Sequence, residues 1–216
     1  VKIAVCVDRP IVRDALVNTL NNHEDLNVEF ATSDDSYFHE ALSTNHVDVA
    51  LIGLQDAHRA INVAHQLRQA GLGVKAVMLV EKPTEELRLA AARVGIADVV
   101  WSGMDAEEIF SHIWSVGNGN RSLDARTVHS LETELTKKGL WPLINIGATD
   151  REILECLCQG MSDKEIAAHV YLSSQTVRNR ISAILHRCGK QNRTQLALMY
   201  SPLMDLFTLD NVRAAS

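Results

Sequence analysis

Aromatic side chains are scarce in this sequence, 5% of 216 residues, and it has only four prolines and four cysteines. Its core must therefore be aliphatic. With 46% hydrophobic and 22% charged residues it has enough apolar material for a folded chain, which excludes a disordered one. Cys6, Cys156, Cys158 and Cys188 show neither disulfide-framework nor zinc-site spacing. Cys156 and Cys158 lie two apart on an expected helix and so point about 200° apart, and all four read as reduced thiols. Among nine histidines only His58 and His65 share a helical face, and no carboxylate joins them, so no metal site or cofactor is expected. No apolar run approaches the ~18–20 residues of a membrane span, and no basic stretch with a signal core opens the chain, so a cytoplasmic address without membrane attachment is expected.

One further absence is local. The formal charge is −6, but residues 1–144 hold 13 Lys/Arg against 20 Asp/Glu (−7), residues 145–200 hold 7 against 5 (+2), and residues 201–216 hold 1 against 2 (−1). No carboxylate occurs between Glu165 and Asp205, an interval that contains Arg178, Arg180, Arg187, Lys190 and Arg193. A stretch of that kind suits a polyanionic partner.

What is present falls into two domains, as a length prior of roughly 100–200 residues per domain allows. Short runs rich in β-branched residues at 2–7, 27–32, 47–52, 75–80 and 98–101 read as strands. Amphipathic patterns at 11–21, 35–43, 57–69, 85–94 and 106–116 read as the helices between them. Fivefold alternation in about 117 residues predicts an α/β, flavodoxin-like (βα)5 domain, a doubly wound parallel sheet whose crevice lies at the carboxyl ends of the strands. Gly117-Asn118-Gly119-Asn120 closes it, a linker helix is expected over 124–138, and Gly139-Leu140-Trp141-Pro142 is expected to end that helix. The boundaries are accordingly 1–120, 121–145 for a helical linker, and 146–216 for the second domain with its tail, where a short helix is expected near 203–207.

The run Val5-Cys6-Val7-Asp8-Arg9-Pro10, together with Val47-Asp48-Val49-Ala50-Leu51-Ile52-Gly53-Leu54 and Gly95-Ile96-Ala97-Asp98, resembles a response-regulator receiver domain. The resemblance implies a crevice in which an acidic pair and an aspartate bind Mg²⁺ and the aspartate accepts phosphate, with a hydroxyl residue and a lysine alongside. The matching positions here hold Val7 and Asp8 for the acidic pair, Gly53 for the acceptor, Val80 for the hydroxyl and Ser102 for the lysine, with Val99 in place of an aromatic switch residue. The site reads as degenerate. Asp56, three residues on, is an alternative acceptor, but on the loop away from Asp8. The domain is then either a folded spacer and dimerisation unit or a pseudo-receiver that senses a small molecule or a partner protein, and the three valines make its crevice less polar.

Cap and stop signals crowd the second domain. Thr149-Asp150-Arg151-Glu152 reads as a capping box opening a helix to Cys158, and Ser162-Asp163-Lys164-Glu165 as another opening a helix to His169. Ser173 reads as the cap of a helix from 174 to about 187 ended by Gly189, and Asn192 as the cap of a fourth, 193–200. Four helices, the second and third joined by a tight turn, make an all-α helix-turn-helix domain. Its expected core is Ile153, Leu154, Leu157, Ile166, Ala167, Val170, Leu172, Val177, Ile181, Ile184, Leu185, Leu196 and Ala197. Outside on the third helix remain Gln175, Arg178, Asn179, Ser182 and His186, groups that match base edges in a major groove.

Residues 146–200 resemble the LuxR/NarL/FixJ type of helix-turn-helix through Gly160-Met161-Ser162-Asp163-Lys164-Glu165-Ile166-Ala167 and Ser173-Ser174-Gln175-Thr176-Val177-Arg178-Asn179-Arg180-Ile181. That resemblance implies Arg178, Asn179 and Ser182 facing bases, Lys164, Thr176, Arg180 and Arg193 near phosphates, with Lys190 beside them. It also implies a two-fold contact through Thr194, Leu198 and Met199. Arg180 stands where the family commonly has histidine, and Cys188-Gly189-Lys190 replaces a Leu-Gly-Val type of turn. The expected function is a sequence-specific, double-stranded DNA-binding transcription regulator, homodimeric and independent of phosphorylation. The alternative is an interaction protein that sequesters other regulators by heterodimerisation. No enzyme is expected, because no phosphate loop or nucleophile–base pair lies at a strand end.

Overall fold

The computed structural model describes residues 1–144 and 146–204, with backbone alone at 58, 141, 144 and 202. The chain divides into two compact units, Val1–Ser130 and Leu131–Ser216. In the first, β1 (Lys2–Val7), α1 (Pro10–Asn21), β2 (Asn27–Thr32), α2 (Asp35–Thr44), β3 (Val49–Gly53), α3 (Ala57–Gln69), β4 (Lys75–Val80), α4 (Glu85–Arg93), β5 (Asp98–Trp101) and α5 (Ala106–Gly117) follow one another. The strands form one parallel sheet in the order β2-β1-β3-β4-β5, the flavodoxin-like order whose winding reverses between β1 and β3.

Burial follows from that topology. The central strands β1, β3 and β4 are apolar on both faces and almost wholly buried, whereas edge strand β2 alternates exposed and half-buried positions. Ile3, Val5, Val7, Val49, Leu51, Val77 and Leu79 pack with Ile109, Phe110 and Ile113 of α5 on one face. Phe38 of α2 and Ile61 of α3 are fully buried, each worth about 1.5–3 kcal/mol by transfer from water. The third strand starts two residues later than expected, because Asp48 is spent at the sheet edge, its carboxylate accepting from the Lys2 N–H at 2.8 Å. Burial first, and then the Asp35 carboxylate, push the Cys6 thiol up to about 12, so it stays protonated.

The second unit contains α7 (Trp141–Ile144), α8 (Ala148–Cys158), α9 (Asp163–His169), α10 (Ser174–Cys188), α11 (Arg193–Tyr200) and a 3-10 turn, Ser201–Leu203. The division between units falls within α6 (Ala125–Lys137). Leu143, Ile153, Leu154, Leu157, Ile166, Val177, Ile181, Ile184, Leu196 and Tyr200 are buried and form the small core. Leu172, Leu185 and Ala197, expected in the core, are only half-buried. The three end positions of the helix expected near 203–207 lie outside the described residues. No helix among the described residues is long and apolar enough to cross a membrane.

Two helix starts differ from expectation. Gly147, not Thr149, caps α8 and offers no side-chain acceptor, so the expected capping box does not form there. Its Asp150 is drawn away by arginines instead, as described below. Pro142 does not simply end the preceding segment but sits in the first turn of α7, where its missing N–H costs nothing.

The helix-turn-helix is fixed by its caps. Ser162 and Glu165 close a reciprocal capping box on α9, with the Ser162 N–H donating to Glu165 Oε2 at 2.7 Å, and Ser173 Oγ accepts from the Thr176 N–H at 3.0 Å. At the other ends, α8 and α10 stop on left-handed Gly160 and Gly189, while the residue after α9 in that conformation is Tyr171, φ 55° and 95% exposed. The Leu172 N–H then reaches back to the Ala167 carbonyl at 2.9 Å, as Lys190 does to Leu185. A tyrosine there accepts backbone strain that glycine avoids.

Replacing Ser162 with Ala removes one half of the box and should lower the stability of the second unit by about 1 kcal/mol, read as a shift of its urea midpoint. The Ser162 contacts hold the Glu165 carboxyl below its ordinary range. The box therefore contributes above the ordinary carboxylate range and is lost as pH falls through the lowered value, so the difference between wild type and variant should shrink in acid.

Candidate nucleic-acid interface

Helix α10 is amphipathic in a way that sets its rotation. Val177, Ile181 and Ile184 are buried, so Gln175, Arg178, Asn179, Ser182 and His186 all stand exposed on the opposite side. Gln175 Nε2 donates to Asn179 Oδ1 at 2.9 Å, one turn on, which orders the two amides against each other. No acidic residue occupies the first turn of α10, so its free N–H groups and dipole favour an anion at that end. Thr176 lies there half-buried, its hydroxyl 2.8 Å from Ser173 Oγ. Lys164, in the first turn of α9, is exposed, and Lys190, just past Gly189, is half-buried.

Four of the arginines are paired with carboxylates. Arg178 Nε reaches Asp163 Oδ2 at 3.3 Å, and Arg193 reaches the other oxygen of Asp163 at 3.2 Å and the Met161 carbonyl at 2.5 Å. Arg180 reaches Asp150 at 2.7 Å, with Arg187 3.8 Å from its second oxygen. The carboxylates come from α8 and α9, 15 to 37 residues away in sequence, so the carboxylate-free interval around α10 gave no sign of them. With side chains 63% and 42% exposed, Arg178 and Arg180 hold pairs of the solvent-screened kind. Such pairs contribute about 0–1 kcal/mol and are readily exchanged for another anion.

On α11, Thr194 and Leu198 are exposed, Leu198 by 72%, and Met199 is half-buried, while Leu196 and Tyr200 fill the core from the opposite side. Burial pushes the Tyr200 hydroxyl up.

In the first unit, the residues singled out at the sheet's carboxyl edge do come together. Register pairs Val7 with Gly53 across β1 and β3 and Val80 with Trp101 across β4 and β5, just before Ser102. Asp8 Oδ2 accepts from the Gln55 N–H at 3.0 Å, while Oδ1 is buried without a hydrogen-bonding partner among the described residues. A Cβ on Gly53 would stand 3.0 Å from Val7 Cγ2 and 3.2 Å from Leu79 Cδ2, tighter than ordinary contact. Asp56, the alternative acceptor, instead accepts from the Arg59 N–H at the start of α3. Arg9 and Glu81 pair at 2.8 Å beside the cleft. Among the described residues no group of three His, Cys, Asp or Glu could hold a metal ion.

A receiver-like α/β unit joined to a helix-turn-helix unit is the architecture of a regulatory protein, and similarity to known proteins narrows the class. Residues 146–200 match the family described as bacterial regulatory proteins, luxR family. The chain is 26% identical over 207 residues to the DNA-binding transcriptional activator DevR/DosR of Mycobacterium tuberculosis, covering 94% of this chain and 95% of that one. It is 25% identical over 198 residues to the transcriptional regulatory protein DesR of Bacillus subtilis, covering 90% and 94%. Among solved structures, RcsB of Salmonella enterica bound to promoter P1flhDC shares the fold at a TM-score of 0.63, with 16% identity over 94% of this chain and 98% of that one. Fold, family match and relatives together make the chain similar to LuxR/NarL-type transcription regulators, with the family match confined to the second unit.

The close approach at Gly53 is measurable. Gly53→Ala should destabilise the first unit by about 1–3 kcal/mol through overpacking against Val7 and Leu79. In a double-mutant cycle Val7→Ala should recover part of that loss, a favourable coupling read from denaturation midpoints. Zero coupling would mean that Val7 does not limit what position 53 can hold.

Proposed function

We propose that this chain reads an operator through α10 and is controlled without aspartyl phosphorylation. The observation that carries the first half is the exposed Gln175–Arg178–Asn179–Ser182 face, oriented by the buried Val177–Ile181–Ile184 stripe. Arg178 and Asn179 have the donors and acceptors to fork onto guanine and adenine, with Ser182 adaptable. In this reading Lys164, Thr176, Arg180, Lys190 and Arg193 meet phosphates, and His186 extends the face towards the carboxyl end of α10. Arg178, Arg180 and Arg193 exchange weak carboxylate pairs for phosphate or base when DNA arrives. The exposed Leu198, with Thr194 and Met199, supports a homodimer formed through α11. Two copies would then present their recognition helices to an inverted repeat with half-sites about one helical turn apart.

Control without phosphorylation rests on the carboxyl edge of the sheet. Gly53 carries no nucleophile, and its surroundings leave little space for one. The donor set is a poor fit to Mg²⁺, because Asp8 is the one carboxylate of the degenerate site and an octahedral ion needs more charge and more oxygens than it offers. A cleft of ≈ 670 Å³ lies at this edge, lined by Arg9, Val12, Gly53, Leu79, Val80 and Lys82 among others. Its size suits a small-molecule ligand or a peptide of a partner protein as the controlling input. Of the three valines expected to make it apolar, Val80 lines it, whereas Val7 and Val99 are buried in the sheet.

Exchanging Arg178 for Ala should cost about 1–3 kcal/mol at one base position, with the other positions of the site unchanged. A binding titration against single-base operator variants reads this, and an unaltered profile would displace α10 from the groove. Acetyl phosphate with Mg²⁺ should leave operator affinity as it was; a clear gain would restore phosphorylation to the account. If the wild-type chain retained no genomic fragment in a gel shift, the sequestering alternative would replace operator reading.

A further inference from the structure

The first unit has a second cleft, of ≈ 610 Å³, at the opposite edge of the sheet from Gly53, where α3 and α4 end and β4 begins. Three cations line it, Arg68, Lys75 and Arg121, and among the described lining residues there is no Asp or Glu. Residues 1–130 hold 11 Lys/Arg against 18 Asp/Glu, a net of −7. Three convergent cations without a carboxylate are therefore contrary to the composition of the unit.

Each cation spends part of its donor capacity on a backbone carbonyl. Arg68 Nη1 donates to Arg93 O at 3.3 Å, Lys75 Nζ to Gly117 O at 3.0 Å, and Arg121 Nη2 to Gly95 O at 3.0 Å and Ile96 O at 3.4 Å. These contacts complement the carboxyl ends of α4 and α5 and hold the charged groups in place. A guanidinium has five donors and an ammonium three, so donors remain on all three. Around them Gly71, Gly73 and Gly119, all at positive φ, have open space where a side chain would be. Their backbone is accessible as a bulkier residue's would not be. At Gly95 a Cβ would come within 2.9 Å of Arg68 Cδ, so glycine lets the arginine stem lie flat along the wall. The rest of the lining is aliphatic, including Leu67, Val74 and Val94.

We propose that this cleft binds a small organic phosphate, its phosphates held by Arg68, Lys75 and Arg121 and its organic body laid against the aliphatic wall. Capping of helix ends explains the carbonyl hydrogen bonds of the three cations but not a glycine-edged cleft of ligand size around them. Arginine forks match phosphate oxygens bidentately and lysine adds a point charge, while apolar lining with a few polar anchors is the common make-up of small-molecule sites. The site lies wholly in the first unit and does not depend on how α10 meets DNA.

The test is calorimetric titration of the full chain with ADP as probe and adenosine as control. ADP should bind and adenosine should not, and the affinity should fall with added salt. Arg68→Ala with Arg121→Ala should weaken ADP at least about tenfold, equivalent to about 1.4 kcal/mol. The exposed Arg121→Glu alone should also weaken it, which keeps the test valid if the double variant melts early. In amide NMR spectra the Gly71, Gly73 and Gly119 signals should move on adding ADP. Absence of ADP binding, equal binding of adenosine, unchanged affinity in folded variants, or shifts confined to other residues would each overturn the proposal.

Discussion

The rotation of α10 about its own axis is the constraint on which the functional reading turns. Three aliphatic side chains, Val177, Ile181 and Ile184, enter a core that α8, α9 and α11 complete, and no other rotation of the helix would bury them. Because the period of the helix is fixed, placing those three inward places Arg178, Asn179 and Ser182 outward with no further specification. The caps at Ser162 and Ser173 and the Ala167–Leu172 bond then fix the turn that joins α9 to α10. A small domain with a modest core thus obtains a rigid polar surface from local chemistry, hydroxyls and backbone groups a few residues apart.

A comparable economy operates in the first unit. Parallel strands sealed on both faces leave their ends as the places where polar groups and space collect. At the carboxyl edge, Val7 and Leu79 crowd a glycine beside a single carboxylate; at the amino edge, three cations stand around glycines that leave the backbone open. The two edges have opposite character although one sheet makes both.

Local signals were legible in the sequence. The serine caps at 162 and 173, the Asn192 cap and the glycine stop at 189 each depend on residues within one turn, and the structure carries them where they were expected. The Thr149 box failed because a capping pattern does not reveal whether a preceding glycine starts the helix earlier or whether Asp150 has a distant partner. The pairing of Asp163 with Arg178 and Arg193, and of Asp150 with Arg180, spans 15 to 30 residues and emerges only once the helices are packed. The crowding at Gly53 depends on Leu79, a residue 26 positions away on another strand, for the same reason.

Those carboxylate–arginine pairs bear on how the second unit would meet a polyanion. Asp150 and Asp163 act as tethered counterions, so part of the positive charge around α10 is already neutralised from within. If phosphates displaced them, fewer condensed cations would leave the nucleic acid per arginine engaged than a bare cation count implies, because each released aspartate would remain nearby and repel. Affinity would then respond to ionic strength less steeply than the number of Lys and Arg residues suggests, and random sequence would be held less firmly than a site whose base edges reward Arg178 for leaving its acid.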